Sequence, residues 1–347
     1  MQSKTKKMRA TKLMGPMDLS IETLPIPEIT EGSVLLGISA VGVCPSGLKM
    51  LKDPSRIDEV FWDIPGFPGH ETAAEVVEVG PGVEGLVPGD HVVPTGPPAC
   101  GQCHFCRRGQ LRFCKEKDFS KIENMSFADY MLCDAASLLP IAEGLGDEEA
   151  CFAEPLACCV ASVEKCSVRA GDTVIVVGAG TMGLLHVQIL RSLGARPIVI
   201  EPNKNRRTFA LEMGANLSLH PDPRAKDQIK EMTHGRGADA VIVTVGAAEA
   251  IQSAFDLVGP GGTLMFFAGT WPPTSVNLDP NLIHYQQMNV TGTVGTTAYD
   301  FERALALMAH GSVDVKPLIS GRYPLQEIIQ AHRASEELST YKILVKP

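Results

Sequence analysis

The chain has 347 residues, and 31 lysines and arginines stand against 40 aspartates and glutamates. The net charge of −9 and pI near 5.5 argue against nucleic acid or an anionic membrane as the main partner. A hydrophobic fraction of 44% and a charged fraction of 20% are those of an ordinary globular protein, long enough for two domains.

The chain starts with a short basic run (Lys4, Lys6, Lys7, Arg9) that no apolar stretch follows, so no secretory signal is read and a cytoplasmic location is expected. From Met8 to about Pro155 the pattern is β-rich. Ser33–Val41 and Glu75–Val79 alternate or run apolar, and turn residues such as Pro25, Pro27, Gly32 and Pro88–Gly89–Asp90 punctuate them. From Ala153 the pattern turns helical. After Thr173 strand and helix alternate: Val174–Val177, a helix near Thr181–Leu193, Ile198–Ile200, and a helix near Lys204–Met213. Leu217–Leu219, Ala240–Val243, a helix near Ala247–Val258 closed by Gly259, Thr263–Phe267 and Val290–Val294 follow, then a helix at Phe301–His310. Such alternation predicts an α/β, doubly wound parallel sheet of the Rossmann type. Thr173–Leu190 carries no charge over 18 residues, but its three glycines divide it into strand and helix, so it reads as a buried βα unit.

Four of the ten cysteines lie between Cys100 and Cys114. Cys100, Cys103 and Cys106 follow C-x-x-C steps that bring thiolates to one tetrahedral ion from a tight turn, and Cys114 arrives from beyond the loop. Seven residues precede Cys114 and Lys115 follows it, unlike a bacterial ferredoxin run, so a structural zinc is expected. All four places are filled, so this ion would hold a loop and do no chemistry. A second set is scattered: Cys44 after an apolar strand, His70 and Glu71 before another, and Glu154 at a helix start. Each has an ordinary structural explanation alone, and spacing cannot bring them together. Together a cysteine, a histidine and a carboxylate would make an open zinc site.

Thr173–Gly183 reads T-V-I-V-V-G-A-G-T-M-G, a strand followed by Gly178, Gly180 and Gly183 in G-x-G-x-x-G. The first glycine permits a tight turn, the second lets backbone approach a pyrophosphate, and the third lets helix and strand pack closely. Thr181 and Met182 open the helix, whose free N–H groups suit phosphate. Glu201 ends the next strand 18 residues past Gly183, where a carboxylate reaches a ribose 2′-hydroxyl and would repel a 2′-phosphate; NAD is therefore expected over NADP.

These motifs, with G-V-C-P-S-G (Gly42–Gly47), P-G-H-E (Pro68–Glu71), E-P-L-A (Glu154–Ala157) and G-S-V-D-V-K-P-L-I (Gly311–Ile319), resemble the zinc-containing medium-chain alcohol dehydrogenase family, in its sorbitol/polyol and threonine dehydrogenase branch. The resemblance runs from about Met8 to Lys346. It implies a GroES-like catalytic domain over 1–156 with a zinc lobe at 96–116, a Rossmann NAD-binding domain over 157–294, and a C-terminal segment, 295–347, rejoining the first domain. It assigns Cys44, His70 and Glu154 to a catalytic zinc, with Glu71 a second carboxylate able to approach or replace a ligand. It places Arg206, Val245, Gly246, Phe267, Ala268 and Thr293 at the cofactor.

By the same resemblance the zinc polarises a substrate oxygen, the nicotinamide exchanges hydride with the carbon, and Ser46 passes the proton towards the cofactor ribose. The substrate would be a secondary alcohol of a polyol, sugar or sugar acid, or alternatively an amino alcohol such as threonine; a homodimer or homotetramer is expected. The family commonly has C-G-[ST]-D-x-H where this chain has Cys44-Pro45-Ser46-Gly47-Leu48-Lys49. Gly47 removes the carboxylate that orients the metal-binding histidine, and Lys49 replaces the terminal relay histidine. Gly295 stands where sorbitol-type members often have a substrate-binding arginine. These departures keep open a different class, an NAD-binding protein retaining only the lobe zinc. Phe61 and Trp62 fall in a segment that borders the substrate cleft in relatives.

Overall fold

The computed structural model describes residues 6–57, 61, 63–117 and 123–347; Trp62 lies outside the described residues. The chain divides into two units, one of Met1–Pro155, Thr297–Ala309 and Val315–Pro347, the other of Leu156–Thr296 and His310–Asp314. The first unit opens with a hairpin, β1 (Lys7–Gly15) and β2 (Asp18–Pro25), turned at Met17 with φ of 54°. β3 (Ser33–Gly42) follows, buried along almost its whole length, so it lies inside a sheet. It pairs antiparallel with β4 (Glu71–Val79), which pairs with β5 (His91–Pro94); β6 (Tyr130–Asp134) pairs with β3 and β7 (Leu138–Pro140) with β5. Val34, Leu36, Val41, Val76, Val92 and Phe127 fill the core beneath them.

The second unit is a six-stranded sheet of β8 (Thr173–Val177), β9 (Arg196–Ile200), β10 (Leu217–Leu219), β11 (Ala238–Val243), β12 (Val258–Phe266) and β13 (Asn289–Gly292). All pairings are parallel, in the order β10-β9-β8-β11-β12-β13. The chain winds outward from β8 and then from β11, so the reversal of direction falls between those two strands, where ligands bind in open α/β sheets. Helices Thr181–Ser192, Lys204–Glu212, Pro223–Met232 and Ala248–Ala254 make the crossovers. Pro223–Met232 escaped the sequence analysis, although Asp222 caps it through the Arg224 N–H and Pro223 opens it. The helix expected to run to Val258 ends at Ala254, and β12 begins at Val258. Gly259 is a close-approach glycine and not a helix stop: a Cβ there would lie 2.4 Å from the Arg236 carbonyl oxygen.

The last two strands, β14 (Ile319–Pro324) and β15 (Lys342–Lys346), belong to the first unit. β15 pairs antiparallel with the end of β3, Leu344 opposite Gly42, giving the order β14-β15-β3-β4-β5-β7. No helix among the described residues is long and apolar enough to cross a membrane.

Candidate metal centre and cofactor loop

In the lobe, one short helix (His104–Arg107) and the turns around it bring Cys100, Cys103, Cys106 and Cys114 together, all ligand atoms within 4.8 Å of one another. The Cys103 and Cys106 sulfurs are 3.5 Å apart and those of Cys100 and Cys106 3.9 Å. A tetrahedral zinc with bonds near 2.3 Å requires edges of about 3.8 Å, so the set fits a closed four-thiolate site. The Cys100 N–H donates to Cys114 Sγ at 3.4 Å, and that hydrogen bond draws the Cys114 thiol down to about 7. Burial and the neighbouring sulfurs push Cys106 up to about 12, a cost that a cation at the centre would offset. Arg112 ties the lobe to the helix Ala298–Ala309 by an ion pair of 2.8 Å to buried Asp300. None of the ten cysteines is in a disulfide.

The scattered set meets at the ends of strands. β3 stops at Gly42, opposite Glu71 on β4, and a Cβ on Gly42 would fall 2.0 Å from Glu71 Oε2. Glycine is what admits that carboxylate. Two residues later Cys44 caps α1 (Pro45–Lys52), with Pro45 in its first turn. His70 precedes β4. One ligand atom each of Cys44, His70 and Glu71 lies within 4.8 Å of the others, a three-ligand set of the kind that leaves zinc a fourth position. His70 Nδ1 is 2.7 Å from the Pro68 carbonyl; the carbonyl only accepts, so Nδ1 donates and Nε2 is left for the cluster. Burial opposes a charge on His70, but the hydrogen bond and charge of Cys44 and the carboxylates of Glu154 and Glu71 outweigh it. Its pKa rises to about 10. A place that favours a proton this strongly also favours a cation.

Glu154 sits in the first turn of the helix Ala153–Lys165, close enough for its charge to act on His70. The compact triple, however, takes its carboxylate from Glu71, the residue adjoining His70, where the resemblance gave Glu154 as the ligand. Glu71 has a partner that sequence analysis did not find. Lys342, at the start of β15, is buried, and its Nζ lies 2.8 and 2.5 Å from the Glu71 oxygens. Burial works against its charge, and Glu71 and Cys44 outweigh this and raise its pKa. The one hint in the sequence is a lysine leading an otherwise apolar strand. Ser46, exposed, has its Oγ 3.0 Å from Cys44 Sγ. Lys49 is exposed one turn further along α1. Phe61 stacks on buried Phe67 at 6.2 Å between ring centres, as part of the core.

In the second unit two glycines of the loop after β8, Gly178 and Gly183, are sterically constrained. Gly178 has φ of +102°, and a Cβ there would collide with Val245 and Thr244 at 2.6 and 2.7 Å. A Cβ on Gly183 would meet the Gly178 carbonyl at 2.0 Å, which is the close helix–strand packing. Gly180 caps the helix that Thr181, Met182 and Gly183 open, and the nearest atom to its missing Cβ is Arg206 Nη1, 3.9 Å away. Glu201, buried just past β9, accepts from the Ala179 N–H at 2.8 Å and the Asn203 N–H at 2.9 Å, which fixes its carboxylate beside the loop. Val245 and Gly246 follow β11, and Phe267 and Ala268 follow β12, their N–H groups both donating to the Val243 carbonyl. Thr293 follows β13 and its buried hydroxyl has no partner among the described residues. These residues stand at the carboxyl ends of the parallel strands, where such sheets bind ligands. Cys159, buried, is a packed thiol 3.7 Å from the Met182 carbonyl.

Comparison with known proteins gives concordant matches. Residues 181–310 match the zinc-binding dehydrogenase family and residues 30–143 the alcohol dehydrogenase GroES-like domain. The chain is 30% identical to a D-arabitol-phosphate dehydrogenase of Enterococcus avium, over 99% of this chain and 98% of that one. It is 31% identical to an L-threonine 3-dehydrogenase of Pyrococcus furiosus over 86% of each. Its fold superposes with a TM-score of 0.88 on a Sinorhizobium meliloti 1021 chain described as a zinc-binding dehydrogenase and solved with NADP, 28% identical, covering 99% of this chain and 100% of that one.

Proposed function

Because this chain belongs to the zinc-containing medium-chain alcohol dehydrogenase family, in its polyol and threonine dehydrogenase branch, we propose that it transfers hydride between NAD and a secondary alcohol or ketone of a polyol, sugar or sugar acid. The observation that carries the reading is the meeting of Cys44 with the His70–Glu71 pair, from two places in the chain. Zinc, when bound, supplies Lewis-acid polarisation of an alcohol or carbonyl oxygen, and the nicotinamide supplies the hydride acceptor. The chain's own residues do the rest. Cys44 and His70 Nε2 act as ligands with a carboxylate of Glu71 or Glu154, and Lys342 holds Glu71 in place. Ser46 Oγ accepts the proton of the substrate hydroxyl as it gives up its own towards the cofactor ribose, and Lys49 stands at the end of that relay. The four lobe cysteines hold a second, structural zinc.

Glu201 supports NAD, since its fixed carboxylate would repel a 2′-phosphate while Gly178, Gly180, Gly183 and the helix start receive the pyrophosphate. Arg206, Val245, Gly246, Phe267, Ala268 and Thr293 complete the proposed cofactor contacts. Glu201→Ala is expected to lose NAD affinity and gain NADP affinity in titrations of both; no change in either contradicts the assignment. The assembly proposed is a cytoplasmic homodimer or homotetramer.

The test of the function is NADH formation over a panel of polyols, aldonic acids and amino alcohols, with and without a zinc chelator. Turnover of a polyol or sugar acid that chelation abolishes and zinc restores is expected. Turnover insensitive to chelation, or none on any of the panel, contradicts the reading. Turnover of L-threonine alone would move the chain to the activity of its Pyrococcus relative.

A further inference from the structure

Gly47 lies buried in the first turn of α1 at the position whose missing carboxylate was expected to weaken the metal site. The surroundings assign it another part. A Cβ on Gly47 would lie 2.8 Å from Pro68 Cγ and 3.3 Å from Pro68 Cβ, so nothing larger than hydrogen fits without moving that ring. Pro68 has little room to yield. The next residue, Gly69, is pressed against the neighbouring segment so closely that its own Cβ would be 2.7 Å from Phe127 N and 2.8 Å from Ser126 Oγ. Its N–H is bonded to the Gly66 carbonyl at 3.0 Å, and its carbonyl accepts from Ser126 N–H at 3.3 Å. The Pro68 carbonyl is the group that holds His70 Nδ1 at 2.7 Å. Beyond the ring, His332 Cε1 is 3.9 Å from the same Gly47 Cβ point. Any side chain at 47 would therefore press on the ring of Pro68, the residue that already orients His70.

We infer that Gly47 is a positioning residue of the metal site: by leaving room for Pro68 it lets a main-chain carbonyl, in place of an acidic side chain, fix the tautomer and direction of the His70 ring. A backbone carbonyl is an accepted orienting partner for a ligating histidine. The substitution spares the cluster one negative charge where Cys44, Glu71 and Glu154 already converge on His70. The two features meet at Pro68, whose ring a side chain at 47 would press and whose carbonyl holds His70 Nδ1.

The inference rests on the metal reading of the cluster, and the experiment separates the two. Full-length parent, Gly47→Ala and Gly47→Asp are loaded with zinc, and the affinity of the site outside the lobe is measured by chelator competition. The absorption of the cobalt-substituted forms and thermal unfolding are recorded alongside. Gly47→Ala is expected to bind the second ion about 10–100-fold more weakly, with an altered cobalt spectrum and the lobe ion retained. Gly47→Asp should bind it no more tightly than the parent. A Gly47→Ala protein matching the parent in affinity and spectrum, or a Gly47→Asp protein that binds more tightly, overturns the inference alone. A parent that takes up only the lobe ion overturns the metal reading and the inference with it. Should Gly47→Ala fail to fold, ¹⁵N spectra of histidine-labelled, zinc-loaded parent decide, with the His70 signal assigned from His70→Asn. A proton on His70 Nδ1 supports the inference and a proton on Nε2 overturns it.

Discussion

The two candidate metal sites of the first unit are built in opposite ways. The lobe draws all four ligands from 15 consecutive residues, Cys100 to Cys114, and a tight turn suffices to bring them together. The other cluster draws Cys44, His70, Glu71 and Lys342 from across the unit and exists only because β3, β4 and β15 lie side by side. A local site depends on its own loop; a dispersed one depends on the sheet, and in it buried Glu71 and Lys342 balance each other's charge. Damage to the two should therefore differ in kind.

Removing a partner from the dispersed cluster gives the largest expected effect. Lys342→Met strands the Glu71 carboxylate inside the unit, a loss of about 3–5 kcal/mol. Denaturant unfolding of the chelated protein measures it. Added zinc should return part of the loss, because the cation replaces the ammonium beside Glu71; equal losses with and without zinc would separate Glu71 from the metal. On the lobe side Arg112→Gln should cost less, about 1–2 kcal/mol, since Asp300 keeps its bonds from the Thr297 N–H and hydroxyl. It should leave the affinity of the dispersed site unchanged. A fall in that affinity would mean that the two sites are coupled.

The smallest effect concerns pH. His332, behind Gly47, has neither ring nitrogen bonded to any described residue, and burial pushes its pKa down to about 4. Its ordinary value is 6.5, so below that pH the unfolded chain takes up a proton that the folded chain refuses. The stability it contributes is present above pH 6.5 and is lost as the pH falls through 4. Between pH 7 and 5 this amounts to about 1–2 kcal/mol. His332→Leu should flatten that slope in urea midpoints taken across the range; an unchanged slope would place the acid sensitivity elsewhere.

The same contrast explains what could be read from the sequence. The lobe and the G-x-G-x-x-G loop were legible because spacing alone carries the constraint: C-x-x-C steps for one, and for the other glycines at fixed offsets, of which Gly178 and Gly183 are sterically required. Cys44, His70 and Glu71 could be named only through a family resemblance, since nothing in their spacing predicts that they meet. Lys342 was missed because its meaning is its partner, 271 residues earlier in the chain. In the sequence Gly42 is a motif letter and Gly47 a lost carboxylate, whereas in the fold each is a space left for a neighbour, Glu71 for the first and Pro68 for the second. Gly259 was taken for a helix stop for the same reason, its crowding by the Arg236 carbonyl being a tertiary contact. Local chemistry writes itself into spacing, and close approach between distant segments does not.

The most direct test of the dispersed site is to count zinc in the parent, Cys103→Ser and Cys44→Ser by elemental analysis after loading and gel filtration. Two ions per chain in the parent and one in each variant, with hydride transfer abolished only in Cys44→Ser at matched folded fraction, is the predicted result. One ion in the parent, unaffected by Cys44→Ser, would contradict it.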